Sequence, residues 1–340
     1  MSVSKATPVA VIGAGAWGTA LAWLVAGKGE GVRLWVFEAA VAAEIASTRE
    51  NRTYLPGIRL PESLEATTSL ADAVRGAESL IFAVPSHAAA GVLAHVAPLL
   101  EPEVPIISAT KGIETERLRV MSALIEETMP RHRGPVFALS GPSFAVEVCR
   151  NQPTAIVLAG PPGPQAVALQ KVLMTSTFRV YLSEDRLGVQ LGGALKNIIA
   201  LAAGVVEGLG FGHNTRAALI TRGLAEMVRL GTAMGADPRT FAGLSGMGDL
   251  VLTCTGTLSR NRTVGVQLGA GKKLAEILAA THTVAEGVNT ARAALALAEK
   301  HHVEMPIVRE VCAVLFEGKE PRRAVADLME RAARPELDQV

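Results

Sequence analysis

Apolar positions fall along this chain in two rhythms. In the first half they come as short, largely apolar runs at residues 9–12, 32–37, 80–84, 104–109, 136–140, 154–159 and 178–181. Short runs rich in β-branched and aliphatic side chains, closed by Gly, Pro or Ser, predict strands buried on both faces of a parallel sheet. Between them the spacing is helical, as over residues 87–100 and 119–129. Strand and helix in alternation predict a doubly wound parallel sheet. From Leu187 onward strand signals nearly vanish. Helical patterns then run over 191–204, from an Asn214-Thr215 cap toward Gly231, from Leu258 onward, and over 272–280, 289–301 and 307–316. The expected fold is α/β, a doubly wound sheet followed by a mostly α-helical domain. The domains divide as 1–187 and 188–335, with the boundary near Ser183 to Gly188. The Pro-rich run 160–164 reads as a rigid turn, because strand and helix signals continue on both sides.

Residues 191–204 carry the most information. They are apolar nearly all round, which predicts a buried core helix with Gly204 near a kink or end. Lys196 sits in the middle of it. An ammonium group seldom leaves water without a partner. Helical spacing puts Gly193, Lys196, Asn197, Ala200 and Gly204 on one face, small apart from its two polar members. That leaves room for a small polar molecule against the lysine. The favoured reading is a buried functional lysine; the competing one is a lysine that snorkels along its stem to the surface.

The first strand runs directly into Gly13-Ala14-Gly15-Ala16-Trp17-Gly18, and a helix follows. In this context GxGxxG is a Rossmann-type dinucleotide fingerprint: a tight turn at Gly13, close approach of a pyrophosphate at Gly15, helix-on-strand packing at Gly18. The helix start offers its free N–H groups to the phosphates. A structural Gly-rich turn is the alternative. Glu38 lies 25 residues after Gly13, at the end of the second strand. A carboxylate there accepts from ribose hydroxyls and repels a 2′-phosphate. No arginine stands beside it, so the pattern favours NAD over NADP; a solvated surface glutamate is the competing reading. Ser86, Lys111, Gly141 and Ser143 fall at strand C-terminal ends, where such sheets bind ligands. His87 reads as a capping or surface residue rather than a catalytic acid. Farther on, a glycine-rich turn at 243–250 delivers Asp249, and residues 253–257 read as a loop. Ser259 reads as an N-cap opening a helix, and the arginine that follows it makes an anion site with the free N–H groups; arginines that are merely solvated are the alternative.

Composition narrows the class. Hydrophobic residues make up 49% and charged residues 19% of 340 residues, enough for large cores, and the net charge is +1. That balance argues against a broad nucleic-acid surface or a polybasic membrane face. Three cysteines, Cys149, Cys254 and Cys312, have no paired spacing and suit a reducing, cytoplasmic compartment. The short polar start, residues 1–8, leads into a strand-and-turn pattern rather than a signal-peptide core, and no uncharged run is expected to span a bilayer. No metal-ligand pattern is present, and a homodimer is left open.

Read together and in order, the motifs resemble the bacterial NAD(P)-dependent sn-glycerol-3-phosphate dehydrogenase family. The resemblance rests on 13–19, Asn51-Arg52-Thr53-Tyr54-Leu55-Pro56-Gly57, Val84-Pro85-Ser86, Thr110-Lys111-Gly112, Ser140-Gly141-Pro142-Ser143-Phe144-Ala145, Leu195-Lys196-Asn197, Gly248-Asp249-Leu250 and Ser259-Arg260-Asn261-Arg262. It implies a Rossmann domain and a helical domain acting on dihydroxyacetone phosphate and sn-glycerol 3-phosphate in glycerophospholipid synthesis. Lys196 is then the general acid/base. Lys111, Gly141, Ser143, Lys196, Asp249, Ser259, Arg260 and Asn261 line the substrate pocket. Ala16, Trp17, Lys111, Ala145, Arg260 and Glu286 touch the cofactor. Many members of the family carry a basic residue near the position of Phe37; its absence here agrees with the reading of Glu38. Two rivals remain: a related Rossmann and helical dehydrogenase acting on a keto or hydroxy acid, and a dinucleotide-binding sensor without catalysis.

Overall fold

The computed structural model describes residues 8–280, 285–333, 335 and 336. Most of the polar start read above, residues 1–7, lies outside them. The first half runs β1 (Val9–Ile12), α1 (Ala16–Ala26), β2 (Val32–Trp35), α2 (Ala39–Thr48), β3 (Leu64–Thr67), α3 (Leu70–Val74), β4 (Ser79–Phe82), α4 (Ser86–Val96) and β5 (Ile106–Ser108). A small hairpin, β6 (Ile113–Glu114) and β7 (Arg119–Val120), precedes α5 (Met121–Thr128), β8 (Val136–Ser140), α6 (Ala145–Cys149), β9 (Thr154–Ala159), α7 (Pro164–Leu173) and β10 (Phe178–Ser183). The eight-stranded sheet has the order β10-β9-β8-β5-β4-β1-β2-β3. From β3 to β8 this is the doubly wound, Rossmann-type order, and β1 and β4 flank its switch point. One junction departs from an all-parallel sheet: β9 runs antiparallel to β8. The short helix α6 between them packs on α1 instead of crossing the sheet, so the chain turns back.

The second half is helical: α8 (Arg186–Gly208), α9 (His213–Ala233), a 3₁₀ turn at Pro238–Ala242, a π-helical turn at Leu244–Gly248, α10 (Asp249–Thr255), α11 (Arg260–Gly269), α12 (Leu274–Ala279), α13 (Glu286–Lys300), α14 (Pro306–Phe316) and α15 (Pro321–Met329). Helix α8 is longer than the pattern predicted. Asp185 caps it by accepting from the Gly188 N–H at 2.8 Å, and the helix continues through Gly204 without a break. By length and hydropathy alone α8 could cross a bilayer, but it contains Lys196 and Glu207, and 94% of its apolar window is buried inside the protein. It is the hub on which α9, α10, α11, α13 and α14 pack. Other sequence expectations shift locally. The helix expected from Arg119 starts at Met121, because Arg119–Val120 pair with β6. Gly212, not Asn214-Thr215, stands at the N-cap of α9, and Thr253 and Cys254 belong to α10 rather than to a loop.

Glycines set how closely α8 and α11 approach. A Cβ on Gly204 would fall within the van der Waals envelope of the Arg262 carbonyl, and one on Gly265 within that of the Leu201 carbonyl. The small face of α8 therefore has two uses. Its Gly204 end is filled by the α11 backbone, its Gly193 end packs against Ser140 and Lys111, and Lys196 lies beside Asp249 and Thr253. A Gly265→Ala change should cost about 1–3 kcal/mol of stability, read as a lower midpoint in urea unfolding; an unchanged midpoint would mean the helices can move apart freely.

Candidate active site

The Gly-rich loop is built as the fingerprint requires. Gly13 takes φ +111°, and a Cβ there would meet the Ala83 carbonyl oxygen at 2.7 Å. Gly18 packs against the Gly13 carbonyl with no room for a side chain. Gly15 faces open space, with nothing within 4 Å of an added Cβ, and no side chain caps the α1 N-terminus that begins with Ala16 and Trp17. That is the shape a pyrophosphate needs, so the loop fits a dinucleotide. Asn51, fully buried, fastens the loop: its amide donates to the Ala14 carbonyl and to Thr19 Oγ1, both at 2.8 Å. Sequence reading quoted Asn51 in a motif but gave it no task. Beyond β2, Glu38 accepts from the Tyr54 hydroxyl at 2.7 Å, and Phe37 is 77% exposed.

The buried lysine is real and it is paired. Lys196 is 6% exposed and Asp249 1%. Lys196 Nζ donates to Asp249 Oδ1 at 2.5 Å and to Thr253 Oγ1 at 2.9 Å. Lys111, arriving from the loop after β5, donates to the other carboxylate oxygen at 2.8 Å and to the Gly141 carbonyl at 2.9 Å. Ser143 Oγ donates to that same carbonyl at 3.0 Å. Thus the two halves of the chain meet on one carboxylate, and two ammonium groups against one carboxylate leave a positive excess. Burial is the main force lowering the Lys196 pKa, and the Lys111 charge adds to it; Asp249 opposes both, and the result is about 8. Thr253 was missed because its stretch was read as a loop. The signal was its i,i+4 spacing from Asp249, which puts both on one face of α10.

Around this centre the remaining candidates arrange themselves. Ser259 caps α11 by accepting from the Arg262 N–H at 3.2 Å. The two arginines of that run divide: Arg262 is tied bidentately to Glu207 near the end of α8, while Arg260 has no hydrogen-bond partner among the described residues. Arg260 is solvent-exposed; the protein around it lowers its pKa by desolvation, and Glu286 opposes the shift. Asn261 donates to Asn197 Oδ1 at 2.9 Å and accepts from the Gly287 N–H at 3.0 Å. Glu286 accepts from both the N–H and the hydroxyl of Ser86, at 3.0 and 2.5 Å, a second tie between the halves. Trp17, with Ala145 beside it, places its ring 5.9 Å from Lys111 Nζ, and its indole N–H is buried without a partner. His87 is exposed and takes no part in the cluster. Glu38 also stands apart from the lysines, on the β2 side of the Gly-rich loop.

Fold and site together define a dinucleotide-dependent oxidoreductase. Family models for the N-terminus and the C-terminus of NAD-dependent glycerol-3-phosphate dehydrogenase match residues 8–164 and 185–326, and the chain belongs to that family. It is 54% identical to the glycerol-3-phosphate dehydrogenase (NAD(P)+) of Geobacter sulfurreducens over 96% of this chain and 98% of that protein. The enzyme of the same name from Myxococcus xanthus is 52% identical, with 96% and 98% covered. Among solved structures, glycerol-3-phosphate dehydrogenase from Coxiella burnetii superposes with a TM-score of 0.92 at 41% identity, covering 95% of this chain and 99% of that one. A ketopantoate reductase from Ralstonia eutropha, at 14% identity and TM-score 0.60, shares the fold alone.

The loop geometry separates two glycines that look alike in sequence. Gly15→Ala should change stability by less than about 0.5 kcal/mol, whereas Gly18→Ala should cost about 1–3 kcal/mol in thermal unfolding. Equal losses would contradict the assignment of open space at Gly15.

Proposed function

We propose that this enzyme interconverts dihydroxyacetone phosphate and sn-glycerol 3-phosphate with NAD(P)H, supplying glycerol 3-phosphate for glycerophospholipid synthesis. The observation that carries the reading is the Lys196–Asp249–Lys111 cluster, a buried proton donor held beside a surplus positive charge. Residues 1–187 would carry the dinucleotide and 188–335 the proton-transferring lysine. Gly13, Gly15, Ala16, Trp17 and Gly18 would receive the dinucleotide, with Glu38, Lys111, Ala145, Arg260 and Glu286 along its length. The bound nicotinamide supplies the hydride.

The chain's own residues do the rest. Lys196, as an ammonium, gives its proton to the ketone oxygen as negative charge grows there; in the reverse direction the neutral amine takes the proton from the hydroxyl. Asp249 and Thr253 hold the amine in one position. Lys111, pinned by Asp249 and Gly141, adds positive potential beside it. Arg260, Asn261 and the start of α11 behind Ser259 hold the phosphate, a dianion suited to a guanidinium and a helix N-terminus. Gly141 and Ser143 form the wall opposite. Holding the phosphate fixes the reacting carbon, where much of the rate gain for so small a substrate arises. A keto-acid dehydrogenase would share the lysine but has no need of the Arg260 site, and a sensor would need no lysine held by a buried carboxylate. Three buried, unpaired cysteines suit a reducing, cytoplasmic setting, and a homodimer remains compatible with this reading.

Lys196→Ala should lower kcat by about a hundredfold with little change in dinucleotide binding; near-normal turnover would remove Lys196 from the chemistry. Arg260→Ala should mainly raise KM for dihydroxyacetone phosphate, and an unchanged KM would remove Arg260 from the phosphate site. The lowered Lys196 pKa gives the pH dependence its sign. Ketone reduction needs the protonated amine, so kcat/KM should hold below about pH 8 and fall above it; alcohol oxidation should show the opposite limb. Flat profiles through this range would contradict the assignment.

A further inference from the structure

Glu38 and Tyr54 belong to separate segments, yet they meet at 2.7 Å, the phenol donating to Oε1. The contact stands just past β2, the strand end where a doubly wound fold places the adenosine ribose of a dinucleotide. Tyr54 is in turn fixed from behind, since its N–H donates to Asn51 Oδ1 at 3.1 Å. Asn51 is the same residue whose amide fastens the Gly-rich loop at Ala14. One buried asparagine therefore sets both the loop and the tyrosine that touches Glu38.

From this linkage, and resting on the dinucleotide reading above, the geometry points to Tyr54 as a positioning residue for cofactor choice: it holds the Glu38 carboxylate so that its second oxygen accepts from a ribose diol and repels a 2′-phosphate. The phenol occupies one acceptor site of Oε1, and Oε2 accepts no hydrogen bond among the described residues, which leaves it for a ligand. Its own pKa is raised to about 12, chiefly by the hydrogen bond to Glu38, so it remains a donor at every working pH. Cations that could offset the repulsion are engaged elsewhere. Arg49 donates to the Leu64 and Pro61 carbonyls, and Arg52 donates to Glu50. Phe37, exposed beside the carboxylate, offers a 2′-phosphate neither charge nor hydrogen bond. The expected ligand is thus a dinucleotide with a free 2′-hydroxyl, and selectivity rests on a carboxylate that cannot swing away.

The test is equilibrium binding of NADH and NADPH to the full chain, followed by quenching of tryptophan fluorescence, with the melting temperature as a check on folding. Wild type should bind NADH more tightly. In Tyr54→Phe the ratio of the NADPH Kd to the NADH Kd should fall about tenfold, the scale of one hydrogen bond to a charged group. Glu38→Asp keeps the charge but withdraws it from the phenol, and should narrow the ratio in the same way. Adding Tyr54→Phe to Glu38→Gln should change the ratio little, because the two act through one contact. Equal weakening of both cofactors, or the same tenfold change in the Glu38→Gln background, would overturn the role of Tyr54 and leave the dinucleotide reading standing. A wild type that prefers NADPH would overturn the NAD preference and this inference with it.

Discussion

Two ammonium groups share one buried carboxylate, and the architecture follows from satisfying that arrangement. Asp249 could not be 1% exposed as an ion without partners on both oxygens, and Lys196 could not lie in an apolar helix without Asp249. The partners come from the two halves of the chain: Lys111 leaves the sheet after β5, Lys196 sits in α8, and Asp249 opens α10. A charge cluster of this kind forms only when sheet and helices have docked. The site and the contact between the halves are therefore one structure, reinforced where Glu286 meets Ser86.

Close packing supplies the precision that the cluster needs. Gly204 and Gly265 bring α8 and α11 to backbone contact, which fixes Asn261 against Asn197, while Arg260 stays solvent-exposed. Arg262, two residues on and facing the other side of α11, is spent on Glu207. Hence two arginines two residues apart have different fates, one tied to Glu207 and one with no hydrogen-bond partner among the described residues. The π-helical turn before α10 ends at the residue preceding Asp249, the kind of local departure from regular geometry that proteins use to aim a side chain.

Much of this was legible in the sequence because it depends on short-range rules. The GxGxxG glycines follow from backbone sterics: Gly13 takes a positive φ, Gly18 packs on the Gly13 carbonyl, and Gly15 leaves open space. The lysine stood out because a charge in an apolar helix is an anomaly that demands a partner. What stayed hidden depends on long-range contacts. The strand β3, four residues with two polar members, carries too little pattern to be seen alone and exists by pairing with β2. The antiparallel turn at β9 is set by where α6 packs. Asn51 was silent because nothing local announces which buried carbonyl it will meet, whereas the i,i+4 spacing of Thr253 from Asp249 tells only once the stretch is known to be helical. The small face of α8 was read correctly as small, but sequence could not say that half of it receives another helix.

The central claim is that the Asp249 pairing favours the Lys196 ammonium while burial and Lys111 oppose it, which leaves the amine poised to give up its proton near working pH. The most direct measurement is an NMR titration of the lysine side chains, with Lys196 assigned by its loss in Lys196→Arg. The account predicts one lysine with a midpoint near 8, well below the surface lysines. A Lys196 signal that titrates together with the surface lysines, near the ordinary value, would contradict it.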